Sequence, residues 1–482
     1  MSTDQPTQPP SQPPSRPPSQ LPYRPPSRER TALADALAAA ESRLALLRQQ
    51  AQEGALRDDS TLHMAAVGSA ADDWATGNVQ RRGRRTLGMA DDTALHLVTN
   101  DAGFLEWDFG PTTGGSRGRR RMRRAGGGAG AGGVIEQSYV IRRIAPNAIT
   151  AAIRGIDAVL NGNYGLRALD AHNLFAGDCV QPKGKKKRLL IVHGTFSSMK
   201  GMLGKAPARF FRWARDNYDE VLGFDHPSLS VGPVMNAFDL ARALRDCEGP
   251  LDIVAHSRGG LVVRWLLEGF GAGRCTPSRA VLVGAPLDGT SLAAPFKLQR
   301  ALSMISNVGL ALKGEANPAD QEVGQSYFDS ALGLAGVVAS AIGTHGISVA
   351  ADAVVAIIPG LLSMARVAGN ADLDRLAQTS LQAQPQYFAI TSNYVSASPL
   401  GSVAAFFSPS AWLNKAKDTA IDAIFPGEND LVVDTESMTL LGNGTQRTLV
   451  PISHRFPEAS EVNHLNYFAQ PKTADLIKDW LV

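Results

Sequence analysis

The stretch "LDIVAHSRGGLVVRWLLE", residues 251–268, decides the fold prediction. Residues 251–255 form a mostly apolar run that is typical of a buried strand, and the residues after the two glycines follow a helical apolar pattern. Ser257 therefore lies at a turn from a strand into a helix, flanked at two residues' distance by the small Ala255 and Gly259. Such a turn exposes a serine hydroxyl beside a helix N-terminus. An ordinary strand–helix turn with a capping serine is the alternative that this stretch leaves open.

The same alternation of strand and helix continues on both sides of this stretch. Helical patterns over 205–217, 234–246 and 258–269 separate the apolar runs "RLLIV", "EVLGF", "LDIVA" and "RAVLV", and "QYFAITSNY" resumes the strand pattern later. Continuous apolar strands that alternate with helices predict an α/β fold, a mostly parallel sheet with helices on both faces. We expect this domain over residues 185–482, with an apolar helical insertion at 291–385 that is too long for a simple connection.

The first 180 residues differ in composition from the predicted α/β domain. Residues 1–30 are rich in Pro, Ser and Gln and predict a disordered tail. Residues 31–55 predict one amphipathic helix, which docks either on a partner or on its own chain. Residues 56–180 predict an accessory region of short β-like pieces with a flexible basic loop, "GGSRGRRRMRRAGGGAGAGGV".

Charge is unevenly distributed along the 482 residues, although the net charge is only +3. Residues 1–200 contain 27 Lys and Arg against 18 Asp and Glu, whereas residues 201–482 contain 21 against 27. The arginine run has no accompanying aromatic residues that could stack on bases, so a solvated loop is favoured and no specific nucleic acid partner is expected. Peripheral contact with an anionic membrane and a protein partner for the N-terminal region stay open.

The sequence also makes predictions about location and cysteine chemistry. The N-terminus has no apolar segment typical of a signal peptide, which favours a cytoplasmic location. The uncharged span from Ser330 to Ala351 is only weakly hydrophobic for a membrane helix. The three cysteines, Cys179, Cys247 and Cys275, lack the spacing of a metal site, and neither a disulfide framework nor a zinc site is expected.

Three further stretches contain candidate site residues. In "RLLIVHGTFSS", 188–198, the His-Gly pair ends a strand, and Gly194 lets the backbone approach a ligand closely. Three aspartates follow late strands in turns and could orient a base: Asp430, Asp434 and Asp288, each of which could also be an ordinary turn residue. Candidate bases are His464, in a loop before the closing helix, and His454, which lies among apolar neighbours typical of a strand end.

Taken together, "IVHGTFSS", "VAHSRGGLVVR", "VLVGAPLDGTSLA", "GENDLVV" and "NHLNYF" resemble, in their order, the lipase-like branch of the α/β-hydrolase superfamily. The resemblance covers residues 188–482. It implies an α/β-hydrolase fold with a helical lid at 291–385, and no cofactor for the chemistry. Residue by residue it implies the nucleophile Ser257, the acid Asp430, the base His464 and an oxyanion hole from the amides of Arg258 and of Thr195 or Phe196.

The expected function is therefore a serine hydrolase that cleaves carboxylic esters of lipid or acyl substrates through an acyl-enzyme. Two alternatives remain open at this point. One is a hydrolase fold that serves as a non-catalytic interaction module. The other is a regulatory or defence hydrolase that attacks membrane lipids, with residues 1–180 as its sensor or docking part.

Overall fold

The structure of the protein is a computed structural model. The residues that it describes are 27–52, 64–69, 92–99, 105–110, 134–142, 149–160, 164–272, 274–293, 298–314, 316–345, 358–366, 370–378, 385–394, 427–441 and 448–481. Most of the predicted tail at 1–30 and all but the last residue of the basic Gly/Arg loop lie outside these ranges.

Two sheets contain the strands of the described residues. The strands are β1 Met64–Ser69, β2 Asp92–Thr99, β3 Leu105–Gly110, β4 Val134–Arg142, β5 Gly165–Ala168, β6 Gly184–Lys185, β7 Arg188–Val192, β8 Glu220–Asp225, β9 Cys247–His256, β10 Arg274–Val283, β11 Gln386–Ser392 and β12 Ile452–Phe456. The small sheet has the order β1-β4-β2-β3 and is antiparallel. The large sheet has the order β12-β11-β10-β9-β7-β8-β5, and β6 pairs with β9. Only β5 is antiparallel to its neighbour there, so the predicted mostly parallel sheet is confirmed.

Helices cover both faces of the large sheet, as the continuous apolar strands require. The α-helices of the described residues are α1 Ser27–Gln52, α2 Ile149–Leu160, α3 Met199–Leu203, α4 Ala208–Asn217, α5 Pro233–Ala243, α6 Gly259–Trp265, α7 Leu298–Lys313, α8 Pro318–His345, α9 Pro359–Leu362, α10 Ala371–Gln378 and α11 Pro471–Trp480. On the large sheet, α5 and α6 pack on one face and α3, α4 and α11 on the other. Alternate residues of β7 point to opposite faces. Leu190 and Val192 join the core under α5 and α6, whereas Leu189 and Ile191 join the core under α4 and α11.

A third core joins the N-terminal region to the 291–385 insertion. Buried residues of α1, α2 and the small sheet pack in one cluster with α7 and α8. Side chains of α7 also bond the backbone of β3: Asn307 bonds both the N–H and the C=O of Leu105, at 2.9 and 2.8 Å. The helix predicted near the N-terminus thus docks on its own chain, with Leu33 and Ala36 buried.

One sequence-based expectation is wrong. Cys247 and Cys275 form a disulfide, with their Cα atoms 5.6 Å apart. The 28-residue separation of these cysteines gave no hint of pairing, but the parallel register of β9 and β10 places Cys275 beside Gly249 and close to Cys247. Cys179 is free and exposed. None of the helices in the described ranges combines the length and the apolar character that crossing a membrane requires.

Candidate active site

Ser257 lies on the sharp turn between β9 and α6. Its φ is +54°, in the left-handed region that non-glycine residues rarely adopt, and its N–H donates to the Val283 carbonyl at 2.9 Å. A Cβ atom on Gly259 would lie 2.6 Å from the carbonyl oxygens of Val192 and His193, so only glycine allows α6 to begin so close to β7. The small residues that the sequence places around Ser257 therefore permit the turn.

His464 and Asp430 form a buried pair in the loops that follow β12 and β11. The His464 Nδ1 atom lies 2.8 Å from Asp430 Oδ2, and the His464 backbone N–H donates to the Asp430 carbonyl at 2.9 Å. The other carboxylate oxygen, Oδ1, accepts from the N–H groups of Val432 and Val433 at 3.1 and 2.8 Å. With Nδ1–H donating to this fixed carboxylate, the imidazole presents Nε2 as its basic atom.

Tyr467 is a site residue that the sequence analysis missed. Its hydroxyl lies 3.0 Å from Asp430 Oδ2 and 3.1 Å from Ser392 Oγ. Burial, and then the nearby Asp430 charge, raise the pKa of Tyr467 well above its ordinary value. The phenol therefore stays protonated and can donate to the carboxylate that also accepts from His464. In the sequence, only its position three residues after His464 could have indicated this role, and nothing in its neighbourhood distinguishes it from a tyrosine that packs in the core.

The rival acids have other partners. Asp434 accepts from the backbone and the hydroxyl of Ser291 at 2.8 and 2.9 Å. Asp288 lies 3.4 Å from an Arg366 nitrogen. The carboxylate that bonds His464 is that of Asp430.

The other histidines near the site are structural. His454 is the middle residue of β12, whereas its apolar neighbours predicted a strand end. His256 donates from Nε2 to the His464 carbonyl at 3.0 Å, and burial holds its pKa well below its ordinary value. His193 bonds the Gly194 carbonyl through Nδ1 at 2.8 Å and accepts the N–H of His226, in the loop after β8, at 3.1 Å.

The predicted oxyanion amides lie beside Ser257. A Cβ atom on Gly194 would lie 2.5 Å from Ser257 Cβ, so the backbone that leads to Thr195 passes directly against the nucleophile candidate. The Phe196 N–H already donates to Ser228 Oγ at 3.1 Å. No acceptor within the described ranges takes the N–H of Thr195 or of Arg258. Of the two alternatives in this loop, the geometry therefore favours Thr195.

An apolar cavity of about 670 Å³, which includes the solvent at its opening, adjoins Ser257 and His464. Its other lining residues are Thr195, Phe196, Pro286, Thr290, Leu292, Ala293, Ala301, Leu302, Ile305, Tyr327, Leu361, Met364, Val432 and Val433. Half of the lining residues belong to the 291–385 insertion. The same helices also pack in the third core. Their opening as a lid stays a prediction.

The described residues contain no group of three or more His, Cys, Asp or Glu that could hold a metal ion. The profile of a family described as "Domain of unknown function (DUF7379)" matches residues 141–482, a segment that includes α2. No curated protein sequence matches the chain.

Several solved structures are similar at low identity. Lipase BlEst2 of Bacillus licheniformis in its mature form has 17% identity and a TM-score of 0.35, covering 64% of this chain and 96% of its own. Lipase 1 from Pelosinus fermentans has 12% identity and a TM-score of 0.38, with coverages of 62% and 97%. A lipase-esterase related protein from Clostridium acetobutylicum has 14% identity and a TM-score of 0.30, with coverages of 62% and 98%.

Proposed function

The chain belongs to the DUF7379 family of domains of unknown function, and we propose that it is a serine hydrolase that cleaves carboxylic esters with apolar acyl groups. The observation that carries the proposal is the presence of Ser257 and His464 in the wall of one cavity, with His464 bonded to Asp430 behind it. A packing histidine would not need a buried carboxylate on Nδ1 while its ring faces a cavity that also contains a serine.

The proposed reaction has two halves. His464 Nε2 takes the proton of the Ser257 hydroxyl as the oxygen attacks the ester carbonyl, and the imidazolium is stabilised by Asp430. The oxyanion accepts hydrogen bonds from the N–H groups of Thr195 and Arg258. The imidazolium then protonates the leaving alcohol, which leaves an acyl-Ser257 ester. Water attacks that ester with the same base, and the carboxylic acid is released.

The cavity supports an apolar acyl group as the bound part of the substrate. Its wall beyond Ser257 consists mainly of aliphatic and aromatic side chains, such as Leu302 and Ile305 of α7, and the described part of the chain contributes no Lys, Arg, Asp or Glu to it. Each methylene of a chain that moves from water into such a wall contributes about 0.8 kcal/mol of binding. Lipids and other acyl esters fit this description, whereas charged acyl groups do not.

A fluorophosphonate probe tests the proposal, because it modifies only an activated serine. The wild-type protein should react and should hydrolyse nitrophenyl esters, whereas the Ser257→Ala variant should do neither. Ser330→Ala is the matched control: Ser330 is equally buried but lies on α8 and bonds the Ser326 carbonyl at 2.7 Å. Equal labelling of wild type and Ser257→Ala would refute the proposal, as would a wild-type protein that neither reacts nor hydrolyses any ester.

A further inference from the structure

Asp157, in the last turn of α2, binds the loop that connects β8 to α5. Its carboxylate accepts from the backbone N–H groups of Ser228 at 3.3 Å, Leu229 at 3.2 Å and Ser230 at 2.7 Å. The Ser230 hydroxyl donates to the same carboxylate at 2.6 Å. Only 4% of Asp157 is exposed. Three consecutive peptides of this loop are therefore fixed by one buried side chain from outside the large sheet.

The fixed loop in turn holds the loop that precedes α3. Ser228 Oγ accepts the Phe196 N–H at 3.1 Å, and the Phe196 carbonyl accepts from Ser326 Oγ of α8 at 3.2 Å. Phe196 has a φ of +56°, a left-handed conformation that costs a bulky residue roughly 1–2 kcal/mol. Strained conformations persist where surrounding contacts determine them. The bonds on both sides of Phe196 therefore fix the direction of the adjoining Thr195 peptide.

The second oxyanion amide, that of Arg258, depends on the same carboxylate. The Arg258 guanidinium is buried and donates from Nη2 to the Val231 carbonyl, in the loop that Asp157 holds. Burial lowers the pKa of Arg258 to about 10, and the charge of Asp157 opposes that shift. Arg258 therefore stays positive at neutral pH. Burial raises the pKa of Asp157, whereas its bonds to Ser230 and Leu229 and the charge of Arg258 oppose that shift.

We infer that Asp157 is a positioning residue that holds the Thr195 and Arg258 amides where the oxyanion forms, so that α2 is part of the catalytic unit. The inference rests on the proposed function. It assigns a role in catalysis to a residue that precedes the predicted hydrolase domain at 185–482. A preorganised donor acts only if it stays in place without reorganisation during the reaction, and this is what the two bonded loops provide.

The first test is Asp157→Asn, which keeps the size of the side chain but removes its charge and one acceptor. Loss of donor position weakens binding of the transition state more than binding of the substrate. We expect kcat to fall by about 10- to 100-fold with KM changed by less than about threefold. The inhibition constant of a trifluoromethyl ketone, whose adduct with Ser257 carries an oxyanion, should rise in parallel with the loss of kcat/KM.

Asp252→Asn is the matched control. Asp252 is a buried carboxylate on β9 that pairs with Arg279 at 3.0 Å, away from both loops. This variant should be less stable but should keep its kinetic constants per folded active site, counted by fluorophosphonate titration. If Asp252→Asn changes kcat and the ketone inhibition as much as Asp157→Asn does, the effect is general loosening of the fold and the inference is wrong.

If Asp157→Asn folds poorly, a second variant and amide hydrogen exchange, which does not depend on activity, test the inference. Ser228→Ala removes only the acceptor of the Phe196 N–H, and it should lower kcat in the same way. Amide hydrogen exchange should become faster over residues 192–198 in both variants. Unchanged exchange, or faster exchange with unchanged kcat, overturns the inference. If the wild type hydrolyses no ester, the proposed function fails, whereas the exchange data still decide whether Asp157 holds these loops.

Discussion

The Asp430 carboxylate lies 2.8 Å from His464 Nδ1, in a pair whose side chains are 0% and 2% exposed. The carboxylate also accepts two backbone N–H groups and the Tyr467 hydroxyl. Its position is therefore fixed by groups that do not take part in the reaction. Such a fixed acceptor selects the imidazole tautomer with its proton on Nδ1 and leaves Nε2 free to act as a base.

Changing Asp430 to Asn should lower kcat by about 10⁴-fold while the fold is retained, because an amide N–H toward His464 favours the wrong tautomer. The measurement is ester hydrolysis by purified variants whose folding is verified by circular dichroism. Asp434→Asn and Asp288→Asn are the controls, since their carboxylates bond Ser291 and Arg366 instead. A crippling effect of Asp288→Asn with a mild effect of Asp430→Asn would show that the acid is misassigned.

The disulfide between Cys247 and Cys275 gives a second prediction. Closing a loop of 28 residues is worth about 3–4 kcal/mol of unfolding free energy in the chain-entropy account. We expect one titratable thiol, Cys179, in protein that is denatured without reductant, and three after reduction. Urea unfolding should show the lower stability of the reduced form, whereas Cys179→Ser should leave stability unchanged. Three thiols before reduction would contradict the prediction.

This disulfide also bears on location. Disulfides persist in oxidising compartments and are rare in the reducing cytosol. The pair therefore argues against the cytoplasmic location that the sequence analysis expected from the absence of a signal-like segment. Thiol titration of protein isolated from its natural compartment, with free thiols blocked during lysis, would decide between a reducing cytoplasmic location and an oxidising compartment.

Asp329 on α8 predicts a pH dependence of stability. Its carboxylate is buried beneath α1, 3.0 Å from Arg43 Nη1 and 2.7 Å from the Gln325 amide. Burial raises the pKa of Asp329 to about 6, although the Arg43 charge and the Gln325 bond act in the opposite direction. The unfolded value is about 3.9. The stability gained from protonating Asp329 is thus complete below about pH 3.9 and is lost as the pH rises through about 6.

The amide of the Asp329→Asn variant does not titrate, so this variant should not lose the same stability as the pH rises. The unfolding free energy of the variant minus that of the wild type should therefore increase between pH 4 and pH 7, by about 2 kcal/mol for a shift of this size. Urea unfolding of both proteins at several pH values provides the difference, in which the other titrating groups cancel. A difference that is constant over this range would show that the carboxylate is better solvated than its burial indicates.

The main fold was predictable because its information is local. The strands β7 to β11 of the large sheet are short apolar runs, the connections from β7 to β10 are helical patterns, and the turn at Ser257 requires small residues at fixed positions. The motifs around Asp430 and His464 are short as well, so each could be recognised before its partner was known. The structure then places these two side chains in contact, across 34 positions of the chain.

The features that the sequence did not predict depend on contacts between distant elements. Asp157 bonds a loop about 70 residues later, and nothing around it in α2 marks it as different from a solvated helix residue. The Cys247–Cys275 pair depends on the register of β9 and β10. The insertion at 291–385 posed a choice between a lid and a core. The structure shows α7 packing on the small sheet and also lining the cavity, and the opening of the insertion as a lid stays a prediction.

The cavity wall gives the last prediction, which concerns acyl chain length. Ala301 and Leu302 of α7 both line the cavity beside Ser257. Since each buried methylene contributes about 0.8 kcal/mol, kcat/KM should rise about fourfold for each added carbon until the cavity is full. Ala301→Leu should move this limit to shorter chains by filling space, whereas Leu302→Ala should move it to longer ones.

The measurement is kcat/KM for nitrophenyl esters from acetate to long chains, in wild type and both variants. Leu310→Ala is the matched control, because Leu310 lies on the same helix and packs against the third core without lining the cavity. That variant should lower the unfolding temperature and leave the chain-length profile unchanged. Similar values for acetate and long-chain esters, or identical profiles in all four proteins, would mean that the acyl group binds elsewhere and that α7 has only a structural role.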